Sequence, residues 1–369
     1  MRNNNDIRRI KFLGKQDNFQ ISKEWIEEIK FFNKKKIDEN ALEMLINDID
    51  NGQLEFQITQ QEKNYIQSCN KENILDYILY RYKFKEYPKK KISTDFPIYI
   101  LIEPVSSCNL KCTVCFQSDK SFIKKEYMGK MDFELYKKII DEAVENNTKA
   151  ITFGSRGEPT IHPQIIDFID YAKNKFLEFK LITNATKLND KLINKIFEAN
   201  IDLVSFSIDS EDKLIYEKIR KFANFDQVLS NVKKYCEIKK AYKNCKTITR
   251  VSGLKVYKEQ SESKFYEFWS KYADEVVFKE VSQRWDTYNN AIHEDLSKPC
   301  NFIWERMYVW YDGKVNPCDA DYKSYLSYGN VNNNTIKQIW SSKAFNDLKM
   351  KHLNKERNKL VPCDRCGQS

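Results

Sequence analysis

The chain has 369 residues, 41% hydrophobic and 31% charged; that apolar share excludes wholesale disorder and allows one large domain with attachments or two ordinary domains. Only 9 Gly and 8 Pro exclude collagen-like and low-complexity chains. The net charge of +9, from 62 Lys+Arg against 53 Asp+Glu, is mild and dispersed, so it suits an anionic substrate or acidic partner without being a nucleic-acid signature.

No apolar run approaches the ~20 residues of a membrane span, and Met1–Arg9 carries no signal-peptide core. The expectation is a cytoplasmic protein with reduced thiols, whose ten cysteines read as metal ligands or catalytic thiols rather than disulfides.

Residues 1–95 are polar and helix-patterned. Trp25, Ile26, Ile29 and Phe32 recur at helical spacing, as do Ile74, Tyr77, Ile78 and Tyr82. The basic run Arg81–Lys91, with Pro88, reads as a solvated linker between this segment and the next. From residue 98 short β-rich runs alternate with amphipathic helices. The runs are Ile98–Glu103, Ala150–Gly154, Phe179–Thr183, Leu203–Ile208, Thr247–Ser252 and Glu275–Val281. The helices are Phe133–Glu145, Gln164–Asn174, Asp190–Glu198, Phe225–Lys243 and Ser263–Tyr272. This alternation predicts an α/β fold with a parallel sheet and right-handed crossovers. A closed eight-fold barrel takes about 250 residues, so the shorter span here predicts an open (β/α)6 partial TIM barrel. After about residue 290, Met307–Tyr311, Asp312-Gly313 and Lys314–Pro317 predict a β-hairpin. A helix carrying Ile336, Ile339, Trp340, Phe345 and Leu348 comes next, capped at Asn334 or Thr335. The expected domains are a helical segment with basic linker (1–95), a core (96–287) and a C-terminal hairpin/helix domain (288–369).

Cys108-Asn109-Leu110-Lys111-Cys112-Thr113-Val114-Cys115 comes directly after the first expected strand with C-x3-C-x2-C spacing. Loops after parallel strands lie on the face where active sites assemble. Three thiolates on one loop can wrap a soft metal centre and leave a position open; an iron–sulfur cluster or a zinc ion with a distant fourth ligand satisfies this spacing. Placed ahead of six β/α units, the motif resembles that of the radical SAM superfamily. The resemblance implies that Cys108, Cys112 and Cys115 hold a 4Fe-4S cluster whose open iron binds S-adenosylmethionine (SAM). One electron then cleaves SAM to a 5′-deoxyadenosyl radical that abstracts a substrate hydrogen. Val114 stands where relatives usually carry an aromatic residue.

Phe153–Pro159 is similar to the family's GGEP motif, which implies that Gly157 and Glu158 bind the SAM ammonium; Arg156, replacing the first Gly, is a candidate substrate contact. Thr183-Asn184-Ala185, Ser205–Asp209 and Tyr216–Arg220 resemble later family segments, which makes Asn184, Ser207 and Arg220 SAM contacts, Arg220 through its carboxylate-matching fork. Cys300, Cys318, Cys363 and Cys366 form a second full thiolate set, for zinc or an iron–sulfur cluster. Their arrangement resembles the short (twitch) form of the SPASM extension and implies one auxiliary 4Fe-4S cluster. Cys69, Cys236 and Cys245 match no ligand pattern. Arg284 and Trp285 are candidate substrate contacts, and Asp286 is the candidate catalytic base.

The expected activity is that of a radical SAM oxidoreductase or epimerase on a small polar molecule, carbohydrate or aminocyclitol-like. One alternative is a SPASM-type peptide-modifying maturase, which calls for a leader-binding winged fold in residues 1–95. The other is a zinc-stabilised binding protein. The expected electron donor is a small acidic protein such as flavodoxin or ferredoxin; neither membrane nor nucleic acid is an expected partner.

Overall fold

The strands of the computed structural model run in chain order as β1 (Tyr99–Ile102), β2 (Lys111–Cys112), β3 (Ala150–Phe153), β4 (Glu178–Thr183), β5 (Leu203–Ser207) and β6 (Arg220–Lys221). They continue as β7 (Ile248–Lys255), β8 (Glu275–Glu280), β9 (Arg306–Val309), β10 (Lys314–Asn316) and β11 (Gly329–Asn330). The structure describes residues 21–52, 62–63, 65–66, 71–243, 245–281 and 286–367. The main sheet has the order β11-β10-β9-β1-β3-β4-β5-β7-β8, and β2 pairs with β6 in a separate ribbon. From β9 through β8 every neighbouring pair is parallel.

The six expected strands are therefore β1, β3, β4, β5, β7 and β8, and the mixed α/β partial barrel is the observed fold. Their runs are apolar because a parallel strand is covered on both faces. Ile100 and Ile102 of β1 pack into the core shared with helix Phe133–Glu145, while Tyr99 and Leu101 pack with the N-terminal helices. The crossover helices begin where short polar side chains cap them: Asp132, Asn189, Asn224 and Ser261 each accept a backbone N–H of the first turn.

Two expectations change at the chain's ends. The basic run Arg81–Lys91 is no linker: all but its last residue lies in helix Lys71–Lys90, which packs with helices Lys23–Phe32 and Glu39–Asp50. Its charges are drawn inward by buried carboxylates, with Arg81 Nε 2.5 Å from Glu62 Oε1 and Arg81 Nη1 3.4 Å from Glu178 Oε1. Glu178 opens β4, so these helices cover the floor of the barrel, at the N-terminal ends of its strands.

At the other end, the expected hairpin forms with Gly313 at φ +82, a left-handed turn position that glycine reaches without strain. It joins the main sheet, because β9 pairs with β1 in register Tyr99↔Arg306 to Ile102↔Val309. The single expected helix is two, Ile336–Trp340 and Lys343–Leu353, since Ser342 caps a new helix through Phe345 N–H. Thr335 caps the first of them in a reciprocal box with Gln338. No helix of the described residues is long and apolar enough to cross a membrane.

Candidate active site

The loop leaving β1 is pinned before it reaches its first cysteine. Ser106 N–H donates to Gly129 O at 3.1 Å, and Gln117 Nε2 donates to Ser106 O and Arg156 O, both at 2.7 Å. The β2–β6 ribbon then sets Cys112 opposite Arg220. Donors converge on the sulfurs: Leu110 N–H at 3.4 Å and Asn184 Nδ2 at 3.7 Å from Cys108 Sγ, and Arg220 Nη1 at 3.9 Å from Cys112 Sγ.

Burial, then the Glu158 charge, push the Cys108 thiol up to about 12, with Cys112 and Cys115 adding to the push. Burial also raises Cys112, opposed by Arg220. Such thiols stay protonated on their own; a bound metal centre supplies the positive charge that deprotonates them. Amide and guanidinium donors aimed at sulfur suit thiolates that keep net negative charge after binding. The residues present fit an iron–sulfur centre.

The neighbouring residues fare differently. Gly157 lies so close to the cysteine loop that a Cβ there would sit 2.0 Å from Val105 O and 2.5 Å from Ser107 O. Glu158 is buried with both oxygens engaged: Oε1 accepts from Thr160 N (3.1 Å), Thr160 Oγ1 (2.6 Å) and Thr183 Oγ1 (2.7 Å), and Oε2 from Asn184 N (2.7 Å). It stitches the end of β3 to that of β4, and burial raises its carboxyl.

Arg156 does not reach a substrate pocket. It is 4% exposed and forks onto Glu103 through Nε (2.6 Å) and Nη2 (2.5 Å), while Nη1 donates to Tyr322 O at 2.8 Å. The guanidinium, in the turn after β3, and the Glu103 carboxylate, just past β1, are each buried, so removing either would leave the other uncompensated.

Arg220 lies with Nε 2.9 Å from Asp209 Oδ2, an ion pair without hydrogen-bond alignment, and Asp209 Oδ1 accepts Leu254 N–H at 3.0 Å. Ser207 closes β5 beside Ser252 of β7. The cysteine loop, Gly157, Glu158, Asn184 and Arg220 thus share one end of the sheet. Asp286 has φ 55 and takes Asn289 Nδ2 on Oδ1 at 2.6 Å, so its carboxylate is engaged in its own turn. Arg284, Trp285 and Cys69 lie outside the described residues.

Sequence reasoning missed Asp209, which holds Arg220, and Glu103, which holds Arg156. Asp209 stands two residues past Ser207, so its place at a strand end was a usable signal. Also missed was an aromatic bridge: Phe116, Phe122, Tyr288 and Tyr322 form one buried cluster against Cys115. Tyr322 stacks on Phe116 at 5.2 Å and donates its hydroxyl to Asp119 at 2.8 Å, which fastens the cysteine loop to the C-terminal part.

The second cysteine set converges as well. The Cys318 thiol is raised by burial and then by Cys363, Cys366 and Cys300; Cys363 is raised by burial and then by Cys300 and Cys366. None of the described cysteines is joined in a disulfide. Among the described residues no three His, Cys, Asp or Glu side chains gather tightly enough to hold a single metal ion. The thiols of each set remain within electrostatic reach of one another. His352, 1% exposed, accepts Cys300 N–H on Nδ1 at 3.2 Å, and its buried Nε2 has no partner.

Comparison with known proteins agrees with this layout. The radical SAM superfamily profile matches residues 102–262, and an iron–sulfur cluster-binding domain (SPASM) matches residues 300–367. A tungsten-containing aldehyde ferredoxin oxidoreductase cofactor-modifying protein of Pyrococcus furiosus is 25% identical over 295 residues, 67% of this chain and 82% of that protein. A cysteine-type anaerobic sulfatase-maturating enzyme of Clostridium novyi is 29% identical over 192 residues, 47% of this chain; the match spans 48% of that enzyme. The structure of Streptococcus suis SuiB bound to precursor peptide SuiA superposes with TM-score 0.56 at 14% identity, covering 95% of this chain and 94% of that one.

Proposed function

This chain belongs to the radical SAM superfamily and carries a C-terminal iron–sulfur cluster-binding domain, and on that premise we propose that it is a maturase that modifies a peptide or protein. The observation that carries the chemistry is the three-thiol loop at the C-terminal end of a parallel sheet, with nitrogen donors aimed at Cys108 and Cys112. The 4Fe-4S cluster with SAM supplies, when bound, one-electron cleavage of SAM and hydrogen-atom abstraction.

The chain's own residues divide the remaining work. Cys108, Cys112 and Cys115 hold the cluster. Asn184 and Arg220 orient two of the thiolates, and Asp209 keeps Arg220 in place. Glu158 is a positioning residue that ties the ends of β3 and β4, and the backbone around Gly157 would hold the SAM ammonium. Ser207 lines the same strand end. Cys300, Cys318, Cys363 and Cys366 hold the auxiliary cluster. A flavodoxin- or ferredoxin-like protein supplies the electron.

The substrate class rests on the relatives. The sulfatase-maturating enzyme is a maturation enzyme by name, which favours a peptide or protein over the carbohydrate-like molecule expected from the residues; the Pyrococcus furiosus relative is named for modifying a cofactor. The winged fold that this reading calls for in residues 1–95 is not seen among the described residues, which are helical before β1, so the substrate class does not draw on the N-terminal part.

The test begins with anaerobic purification and iron and sulfide counting. The reduced, SAM-loaded protein is then assayed for 5′-deoxyadenosine with host extract, before and after protease digestion. Stimulation that proteolysis destroys is expected. Stimulation that survives proteolysis overturns the maturase reading. Absence of 5′-deoxyadenosine, or its persistence in Cys112→Ala, overturns the radical chemistry itself.

A further inference from the structure

We propose that Arg357 is the positioning residue that sets the reduction potential of the auxiliary centre, through a permanent buried positive charge that also clamps its two cysteine loops together. This rests on the reading that Cys300, Cys318, Cys363 and Cys366 hold an iron–sulfur cluster.

Arg357 is 1% exposed. Its Nη2 donates to Cys366 O at 2.7 Å and Cys363 O at 3.2 Å, and its Nη1 donates to Lys298 O, two residues before Cys300, at 2.9 Å. One guanidinium thus spans the C-terminal C-x2-C turn and the segment leading to Cys300, which are far apart in sequence. Its Nε is buried without a partner.

Among the described residues its hydrogen bonds go to carbonyls, none to a carboxylate. A buried cation with no carboxylate in hydrogen-bond contact is costly, and the carbonyls it binds belong to two of the cluster cysteines and to the segment before a third. Arg306 and Lys91 add further positive charge near Cys300.

Net charge and hydrogen bonding around the sulfurs are two of the levers that set cluster potentials. Reduction brings one electron from an outside donor and no proton, so the cluster becomes more negative by one charge. A fixed cation beside it stabilises the reduced form. Arg357 therefore makes the auxiliary cluster easier to reduce.

The experiment is a dithionite titration read by electron paramagnetic resonance. It uses the full chain with Cys108, Cys112 and Cys115 replaced by Ala, so that only the auxiliary centre is read, and compares Arg357, Arg357→Lys and Arg357→Gln. The expected result is a lower midpoint potential in Arg357→Gln and a near-parental one in Arg357→Lys, which keeps the charge but not the fork. Loss of iron in Arg357→Gln with full loading in Arg357→Lys also supports the proposal. Equal potentials in all three, equal shifts in both variants, or iron loss in both overturn it. A parent chain without iron would instead overturn the cluster reading on which the proposal stands.

Discussion

Gly157 shows how a single atom decides the site. The carbonyls that would meet a Cβ at 2.0 and 2.5 Å belong to Val105 and Ser107, in the backbone that leads into Cys108. Neither can swing aside as a side-chain end would, so Gly157→Ala must push the cysteine loop away from the end of β3. The expected outcome is loss of most of the iron at the three-cysteine site while the auxiliary iron is retained, read by iron counting and cluster spectroscopy. Full loading with unchanged SAM affinity would show that the close approach is unimportant. The cysteines were legible because their spacing is local. Arg156 was not, since its partner Glu103 lies 53 residues away and nothing in Ser155-Arg156-Gly157 announces it. A break in a motif drew attention to Arg156, but the reason for the break is a buried ion pair, not a ligand.

Helix Lys71–Lys90 carries the same lesson to a larger element. Read along the chain, Arg81–Lys91 is a solvated basic run; in the fold, Tyr77 and Tyr80 donate to Glu178 at 3.2 and 3.1 Å, and Arg81 and Lys180 flank it. The strands and crossover helices were legible to within a few residues because periodicity and caps are local signals. Charge burial depends on partners that only the fold supplies. Burial alone would raise the Glu178 carboxyl, yet Lys180, Arg81 and Tyr80 outweigh it and hold it at about 2, against 4.5 for the free group. The unfolded chain therefore takes up the proton first as pH falls. The stabilisation from Glu178 is complete above about pH 4.5 and is lost as pH drops toward 2. Glu178→Gln leaves the half-buried Lys180 without its counter-charge and Arg81 with Glu62 alone, and should cost about 3 kcal/mol at pH 7. That deficit should shrink at pH 3. Urea unfolding of both proteins at the two pH values checks this, and a deficit that does not change with pH would remove Glu178 as the anchor.

At the scale of the whole molecule, the boundary expected at residue 287 runs through one continuous sheet. β9 is hydrogen-bonded to β1 over four register pairs, so the C-terminal part completes the edge of the barrel beside the strand that launches the cysteine loop. Arg156 donates to the Tyr322 carbonyl and lies 4.2 Å from the Trp310 ring centroid, and Trp340 Nε1 donates to Thr94 O at 2.7 Å. Cutting the chain after residue 287 strips all three contacts. It also exposes β1, the apolar run Tyr99–Ile102, as an open edge ready to pair with other copies. The truncated chain is expected to aggregate or lose fixed tertiary structure, judged by size-exclusion chromatography and near-ultraviolet circular dichroism. A monomer that unfolds cooperatively would mean that the core stands alone and the C-terminal cysteines are an appendage. The shared sheet argues otherwise: β1 leads into the loop of Cys108, and β9, its neighbour, leads through the hairpin to Cys318.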